Sequence, residues 1–156
     1  MCEEDVEGVT ALLRETSSSF KFDIDFTPEL VRHMFLPRED IVYSYVIPST
    51  SGPKAFFSFY IMNWNVIHDS RDMNIRAAYI WFHAEKGVEL KSLIADLLNK
   101  AVNDAKADVA NSVGITGIHD ALIANKFEAG SKALKYYSYN YAIPDMEDFE
   151  MRYIFV

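Results

Sequence analysis

The chain has 156 residues, of which 50% are hydrophobic and 14% aromatic, and this composition predicts one packed domain over residues 1–156. Its formal net charge of -8 argues against a nucleic-acid partner, which needs clustered lysine and arginine, and suits a basic or N-terminally cationic ligand better. One cysteine, four scattered histidines and the lack of an apolar run of ~20 residues predict no disulfide, no metal site and no integral membrane segment, with the cytoplasm as the default location.

The first third of the chain predicts two helices followed by a hairpin. Apolar residues at helical spacing, placed after three acidic residues, predict an amphipathic helix over residues 4–16. Thr27 followed by a proline predicts a capped helix that runs through Phe35. Two runs rich in β-branched and aromatic residues, 41–46 and 55–60, flank a turn of proline, serine and glycine and predict an antiparallel strand pair.

The middle of the chain alternates between predicted strands and helices. A polar loop is expected over about residues 63–74, and a strand over 76–82 follows it. Leucines and isoleucines at helical spacing predict a strong amphipathic helix over 90–101. A short buried strand over 109–113 and a short helix over 118–127 come next.

Two further strands are predicted near the end of the chain. The aromatic run at 135–141 has strong strand propensity, and the apolar run at 151–156 predicts a strand that reaches the last residue. Helices that alternate with hairpin-connected strands indicate an α/β fold with a mixed, largely antiparallel sheet flanked by helices.

Six short strings occur in order along the chain and together carry a family resemblance. They are VRHMFLPRED (31–40), FSFY (57–60), AAY (77–79), DVAN (108–111), KF (126–127) and YYSYNY (136–141). In order and spacing they resemble the C-terminal half of eukaryotic glycylpeptide N-myristoyltransferases. The resemblance implies an acetyltransferase-type (GNAT-like) fold and a half-enzyme that completes the peptide groove.

The resemblance also implies which ligand binds elsewhere in the complete enzyme and which partners this half needs. Myristoyl-CoA is the co-substrate of the complete family enzyme and binds mainly in the N-terminal half, so no cofactor is expected on this chain. The sequence agrees, because it has no glycine-rich acetyltransferase loop whose N–H groups could hold a pyrophosphate. The implied partners are peptides or proteins with an N-terminal glycine and an acyl-CoA-binding half, in cis or in trans.

The resemblance assigns the base of the reaction to the C-terminal carboxylate, which here belongs to Val156. An α-carboxylate is a weak base for an α-ammonium group in water, and burial at the end of an apolar strand narrows the difference between their pKa values. Carried over in the same way, Tyr79 lines the groove, Asn111 lies near the reacting amine and Leu134 lies beside the peptide path. The open alternative is that these are core-edge groups and that the last strand ends in solvent.

Two positions depart from the family pattern. Trp64 stands where the family usually has a serine that hydrogen-bonds the peptide, and Ser131 stands where it has an aspartate between two glycines. The first change places an indole in the groove, and the second removes a negative partner for an incoming ammonium group. Three hypotheses therefore remain open: half of an active transferase, a divergent non-catalytic peptide- or protein-binding module, and a half-domain that docks on a separate partner chain.

Overall fold

A four-stranded sheet with helices on both faces forms the centre of the protein. The computed structural model describes residues 1–65, 74–131 and 133–152. The helices and strands are α1 (Val6–Ser17), β1 (Phe22–Asp23), α2 (Pro28–Phe35), β2 (Val42–Ile47), β3 (Ala55–Asn65), β4 (Asn74–Glu85), α3 (Leu90–Asn103), β5 (Val109–Asn111), α4 (His119–Ala124) and β6 (Met151–Arg152).

The strand order of the main sheet is β2-β3-β4-β5. The first two pairs are antiparallel, and β5 runs parallel to β4 over three residues, which end with Tyr79 opposite Asn111. A separate two-stranded parallel sheet joins β1 to β6. The predicted class, a mixed and largely antiparallel sheet flanked by helices, is confirmed.

Both helices predicted near the N-terminus form where local signals place them. In α2 the Thr27 side chain accepts a hydrogen bond from the Leu30 amide at 3.2 Å, and Pro28 occupies the first helical position. The apolar face of α1 is buried against the sheet, because its apolar residues recur at helical spacing.

Each face of the sheet has its own core. One core packs α1 and α2 against the sheet through residues such as Leu13, Phe35 and Trp81. The other packs α3 and α4 against the opposite face through residues such as Phe59 and Leu97. Alternation along β3 and β4 sends neighbouring side chains to opposite faces, so one strand serves both cores.

The strands β3 and β4 extend further than the sequence predicted. Residues 63–65 and 74 lie in strands rather than in the expected polar loop, and Trp64 pairs with Ile75. The polar side chains at this end of the hairpin are exposed, and for that reason the sequence predicts a loop. Exposed strands can still pair through their backbones, and these two do. Residues 66–73 of the predicted loop lie outside the described residues.

The predicted aromatic strand over 135–141 is wrong, because the described residues of this segment are in no strand or helix. The side chains of Tyr137, Tyr139 and Tyr141 are 83%, 92% and 80% exposed. Strand propensity reflects packing on a pleated, half-buried surface, and aromatic residues without a partner strand do not form one.

The remaining boundaries differ by a few residues. The strand predicted over 109–113 ends at Asn111, and it is not the buried strand expected, because Val109 is exposed. The helix predicted over 118–127 is confined to His119–Ala124. Lys126 has a φ of 64°, which a helix cannot accommodate. Of the last predicted strand, Met151–Arg152 is confirmed, and 153–156 lie outside the described residues.

Candidate functional site

Four aromatic rings cluster on β3 and β4 beside the short strand β5. Tyr60 and Tyr79 face each other across the strand pair with stacked rings, 5.2 Å apart between centroids. Trp81 meets Tyr60 edge to face at 5.9 Å, and Trp64 tilts against Tyr79 at 6.0 Å. The register produces this cluster, because residues two apart on one strand and their cross-strand partners share a face of the sheet.

Two buried N–H donors border this aromatic cluster. Neither Nδ2 of Asn111 nor Nε1 of Trp81 has a hydrogen-bond partner in the described part of the chain. Asn111 lies directly opposite Tyr79 in the β4–β5 pair, and Trp81 follows Tyr79 by two residues. Buried donors in folded proteins are nearly always satisfied by protein, water or ligand. Of the two, only Asn111 lines a groove in which an acceptor oxygen could reach it.

The tyrosines of the cluster are held in their neutral form. Burial raises the pKa of the Tyr60 phenol, and the phenols of Tyr79 and Tyr136 raise it further. Burial also raises the pKa of Tyr79, and the nearby Asn111 side chain lowers it by a smaller amount. The Nδ2 atom of Asn111 nevertheless forms no hydrogen bond within the described residues. At neutral pH both phenols therefore keep their proton and can donate a hydrogen bond.

Two adjacent grooves lie next to the last residue pair of β4 and β5. The larger, of about 1460 Å³, is lined by apolar and aromatic residues that include Leu122, Leu134 and Tyr136. The smaller, of about 390 Å³, is lined by Asn111 and polar neighbours that include Glu128. Both have Ser112, Phe127, Glu128 and Gly130 in their walls, so they adjoin. The larger exceeds the roughly 300–1,000 Å³ of a drug-sized pocket, which suits an extended ligand.

The structure brings together three of the residues predicted for the site. Trp64, Tyr79 and Asn111 lie side by side at one end of the sheet. Leu134 lines the larger groove with a side chain that is 72% exposed. Leu134 thus lies on the groove wall formed by the segment after α4.

Two other predicted site residues do not join this group. Ser131 is exposed and lines neither groove, although the preceding Gly130 lines both. Val156 lies outside the described residues, so the prediction for its carboxylate stays a prediction.

Sequence reasoning missed two members of the cluster, Tyr60 and Trp81, and one residue of the larger groove, Tyr136. Tyr79 and Trp81 are two residues apart on a predicted strand, and that spacing could have placed both on one face. Tyr60 required the β3–β4 register, and Tyr136 required the path of a segment without regular structure. The sequence alone provides neither.

A second polar cluster lies at the far end of β4. The Nδ1 atom of buried His83 is 3.0 Å from a Glu85 carboxylate oxygen, and its Nε2 atom is 3.2 Å from the Thr116 hydroxyl. Thr116 has a φ of 68° and lines neither groove. The cluster therefore ties the turn that carries Thr116 to β4.

The described residues contain neither a metal-binding cluster nor a membrane-spanning helix. Across 1–65, 74–131 and 133–152, no three or more histidine, cysteine or acidic side chains come together as a metal site would require. None of the helices described is both long enough and apolar enough to cross a bilayer.

Sequence comparison finds one family over nearly the whole chain. A family model described as myristoyl-CoA:protein N-myristoyltransferase, C-terminal domain, matches residues 1–152. Glycylpeptide N-tetradecanoyltransferase 2 of Danio rerio is 33% identical over 151 residues, which are 94% of this chain and 30% of that protein. Glycylpeptide N-tetradecanoyltransferase 1 of Arabidopsis thaliana is 34% identical over 142 residues, covering 89% of this chain and 32% of that protein. The chain thus spans about a third of the length of these relatives.

Structure comparison finds the same fold. Saccharomyces cerevisiae N-myristoyltransferase with bound myristoyl-CoA superimposes with a TM-score of 0.72 at 23% identity, over 84% of this chain and 36% of that one. A "predicted acetyltransferase" with acetyl-CoA from Clostridium acetobutylicum gives 0.64 at 12% identity, over 88% of this chain and 92% of that one. The expected acetyltransferase-like fold is confirmed.

Proposed function

The chain belongs to the C-terminal domain family of myristoyl-CoA:protein N-myristoyltransferases, and we propose on that basis that it is the peptide-binding half of such an enzyme. The complete enzyme would transfer myristoyl from myristoyl-CoA to the N-terminal glycine of a peptide or protein. An acyl-CoA-binding half is then required, in cis or in trans. Residues 1–156 act as a single domain in this proposal.

The aromatic cluster with Asn111 at its edge carries the proposal. It joins two neutral phenols, two N–H donors that have no partner among the described residues, and an adjoining groove with the volume for an extended chain. A peptide offers what this surface lacks, namely carbonyl oxygens for the donors and side chains for the apolar wall. These features support peptide binding at the open end of the β4–β5 pair.

Each predicted residue has a role in this arrangement. Asn111 donates from Nδ2 to a carbonyl oxygen near the peptide N-terminus, and Tyr79 forms the aromatic wall beside it. Leu134 contacts the peptide further along the larger groove. In place of the family's aspartate, Ser131 provides only a neutral hydroxyl. The negative partners for a cation are then Glu128, which lines both grooves, and Asp145 and Asp148, which line the larger one.

The carboxylate of Val156 serves as general base in this mechanism. It accepts a proton from the glycine ammonium, and the free amine then attacks the carbonyl carbon of the thioester. A C–N bond forms, the C–S bond breaks, and coenzyme A leaves as a thiolate that takes up a proton released from the amine nitrogen. Removing water from the site narrows the difference in pKa between carboxylate and ammonium, which in water are roughly 3.5 and 8.

A second candidate function keeps the groove without the transfer reaction. The Trp64 indole is 42% exposed at the rim of the cluster, where the family usually has a small serine. Trp64 lines neither groove, but a bulky ring in place of that serine favours a divergent module that binds a peptide or protein. Both functions use the same surface, so binding alone does not distinguish them.

Acyl transfer by the complete protein tests the proposal. The assay combines myristoyl-CoA with a glycine-starting peptide, and the same peptide acetylated at its N-terminus is the matched control. The enzyme proposal predicts release of coenzyme A with the first peptide only. Calorimetric binding of the free peptide without any transfer would select the non-catalytic module, and the absence of both would reject both functions.

We assign the protein to the cytoplasm in the same proposal. Cys2 is an exposed free thiol, and exposed thiols persist in a reducing compartment. Fractionation of cells that express the complete protein would check this assignment.

A further inference from the structure

Asp108 binds both backbone groups of Arg76 at the point where β5 joins the sheet. Its amide donates to the Arg76 carbonyl at 2.8 Å, and one of its carboxylate oxygens accepts from the Arg76 amide at 2.8 Å. Arg76 belongs to β4, and Asp108 immediately precedes β5. The second bond is charge-assisted, because its acceptor is ionised. We call these two bonds the Arg76–Asp108 clamp.

Other contacts hold the turn that leads from α3 to β5. Nε of Arg76 donates to the Ala105 carbonyl at 2.5 Å, and Nη2 pairs with the Asp40 carboxylate. The Ala107 amide donates to the Ala101 carbonyl in α3 at 3.0 Å. These contacts fix the turn to β4 and α3 further back in the chain, whereas the clamp acts on the residue next to β5.

The strand β5 is short and lies at the edge of the main sheet. It pairs with β4 over three residues only, and Val109 is 40% exposed. Parallel pairs are slightly less stable per residue than antiparallel ones, and exposed strand ends open at low free energy. The clamp therefore adds two hydrogen bonds to a pairing that is weak on its own.

The place of the Asn111 amide depends on this pairing. Asn111 shares a face of the sheet with Tyr79 because the two residues are paired, and a slip of one residue would turn its side chain to the other face. Nδ2 of Asn111 has no hydrogen-bond partner in the described part of the chain, so that atom does not hold the side chain in place. Asp108 lies three residues earlier, about 10 Å along the strand.

We propose that Asp108, through its two bonds to Arg76, is a positioning residue that holds β5 against β4 and so places the Asn111 amide at the wall of the smaller groove. This inference rests on the proposed function, in which Asn111 donates to the peptide. Asp108 lines neither groove, so it acts on the peptide only through β5.

The test compares variants of the complete protein. Asp108→Ala removes the carboxylate of the clamp, and Asp108→Asn keeps an acceptor oxygen of the same reach. Asp96→Ala is the matched control, because Asp96 is an exposed aspartate on α3. Each change is made in the parent and in an Asn111→Ala background. Calorimetry gives the affinity for a glycine-starting peptide, and mass spectrometry gives the hydrogen exchange of the β5 amides.

For Asp108→Ala we expect peptide affinity to fall by about 3-fold, and β5 exchange to accelerate by about 3- to 10-fold. In the Asn111→Ala background the same change should reduce affinity by less than about 1.5-fold, because the group that it positions is already absent. Asp108→Asn should restore the parent values of both quantities. Asp96→Ala should match the parent.

An equal loss of affinity in both backgrounds would overturn the inference, as would unchanged affinity or unchanged exchange in Asp108→Ala. Failure of Asp108→Asn to restore the parent values would also overturn it. If Asp108→Ala does not fold, as judged by circular dichroism, Asp108→Glu replaces it in both measurements, because its carboxylate lies one methylene further from the backbone.

A parent that binds no glycine-starting peptide would reject the proposed function. Hydrogen exchange then decides alone whether Asp108 holds β5. Acceleration in Asp108→Ala that Asp108→Asn reverses supports the clamp, and an unchanged rate rejects it.

Discussion

Asn111 illustrates how a single side chain can indicate binding. Its amide nitrogen is buried without a partner in the described part of the chain, where β5 ends and both grooves begin. A buried donor without a partner lowers the free energy of unfolding by about 1–3 kcal/mol. A ligand acceptor would recover that free energy on binding.

We expect Asn111→Ala to separate binding from stability. The free energy of unfolding should change by less than about 1 kcal/mol, because losing a donor that has no partner in the described part of the chain offsets the lost packing of the side chain. Affinity for a glycine-starting peptide should fall by about 3- to 10-fold, as measured by calorimetry. Asn103→Ala, on the exposed side of α3, should change neither quantity. A loss of stability with intact affinity would make Asn111 a structural residue.

The Tyr79 phenol should make the folded state sensitive to alkali. Its pKa is raised mainly by burial, so the folded state favours the neutral phenol. The resulting stabilisation is fully present below the unfolded pKa of about 10 and is lost as the pH rises through the folded pKa. Urea unfolding from pH 8 to 11 should therefore show a smaller decline in Tyr79→Phe than in the parent. Tyr137→Phe, at an exposed position, should follow the parent, and identical curves for all three proteins would contradict the assignment.

At the scale of elements, the helices and the β2–β3 hairpin could be predicted because their signals are local. Thr27 before Pro28 and the apolar spacing of α3 each lie within one element. The expected strand over 135–141 failed because a strand needs a neighbour, and no short sequence window contains that neighbour. The pair β1–β6 was missed for the same reason, since its two strands lie more than a hundred residues apart in the chain.

The contact between α1 and the β2–β3 turn gives a test of packing between elements. A Cβ atom at Gly8 would lie 2.5 Å from Cδ of Pro53, so the helix or the turn would have to shift. Gly8→Ala would gain about 1 kcal/mol of helix propensity but lose about 1–3 kcal/mol to overpacking. We expect a net loss in the urea unfolding free energy. In a Pro53→Ala background the same change should stabilise the protein, and stabilisation of the parent by Gly8→Ala would show that no close contact exists.

At the scale of the whole molecule, the site forms where elements from distant parts of the chain meet. Tyr79 and Asn111 were predicted individually from the family resemblance, and the β4–β5 register places them opposite each other. Trp64 joins them because β3 extends beyond its predicted end. The burial of Arg152 could not be predicted, because its hydrogen-bond acceptors belong to residues 13–23, and the sequence gives no sign that the two ends of the chain meet.

The central claim is that the terminal carboxylate of Val156 is the base of an acyl transfer. The most direct measurement extends the complete protein by one glycine after Val156 and compares kcat with that of the parent, using myristoyl-CoA and a glycine-starting peptide. An extension moves the carboxylate by ~3.5 Å and puts a neutral amide in its place, so we expect kcat to fall by about 100-fold or more. Unchanged turnover in the extended protein would contradict the claim.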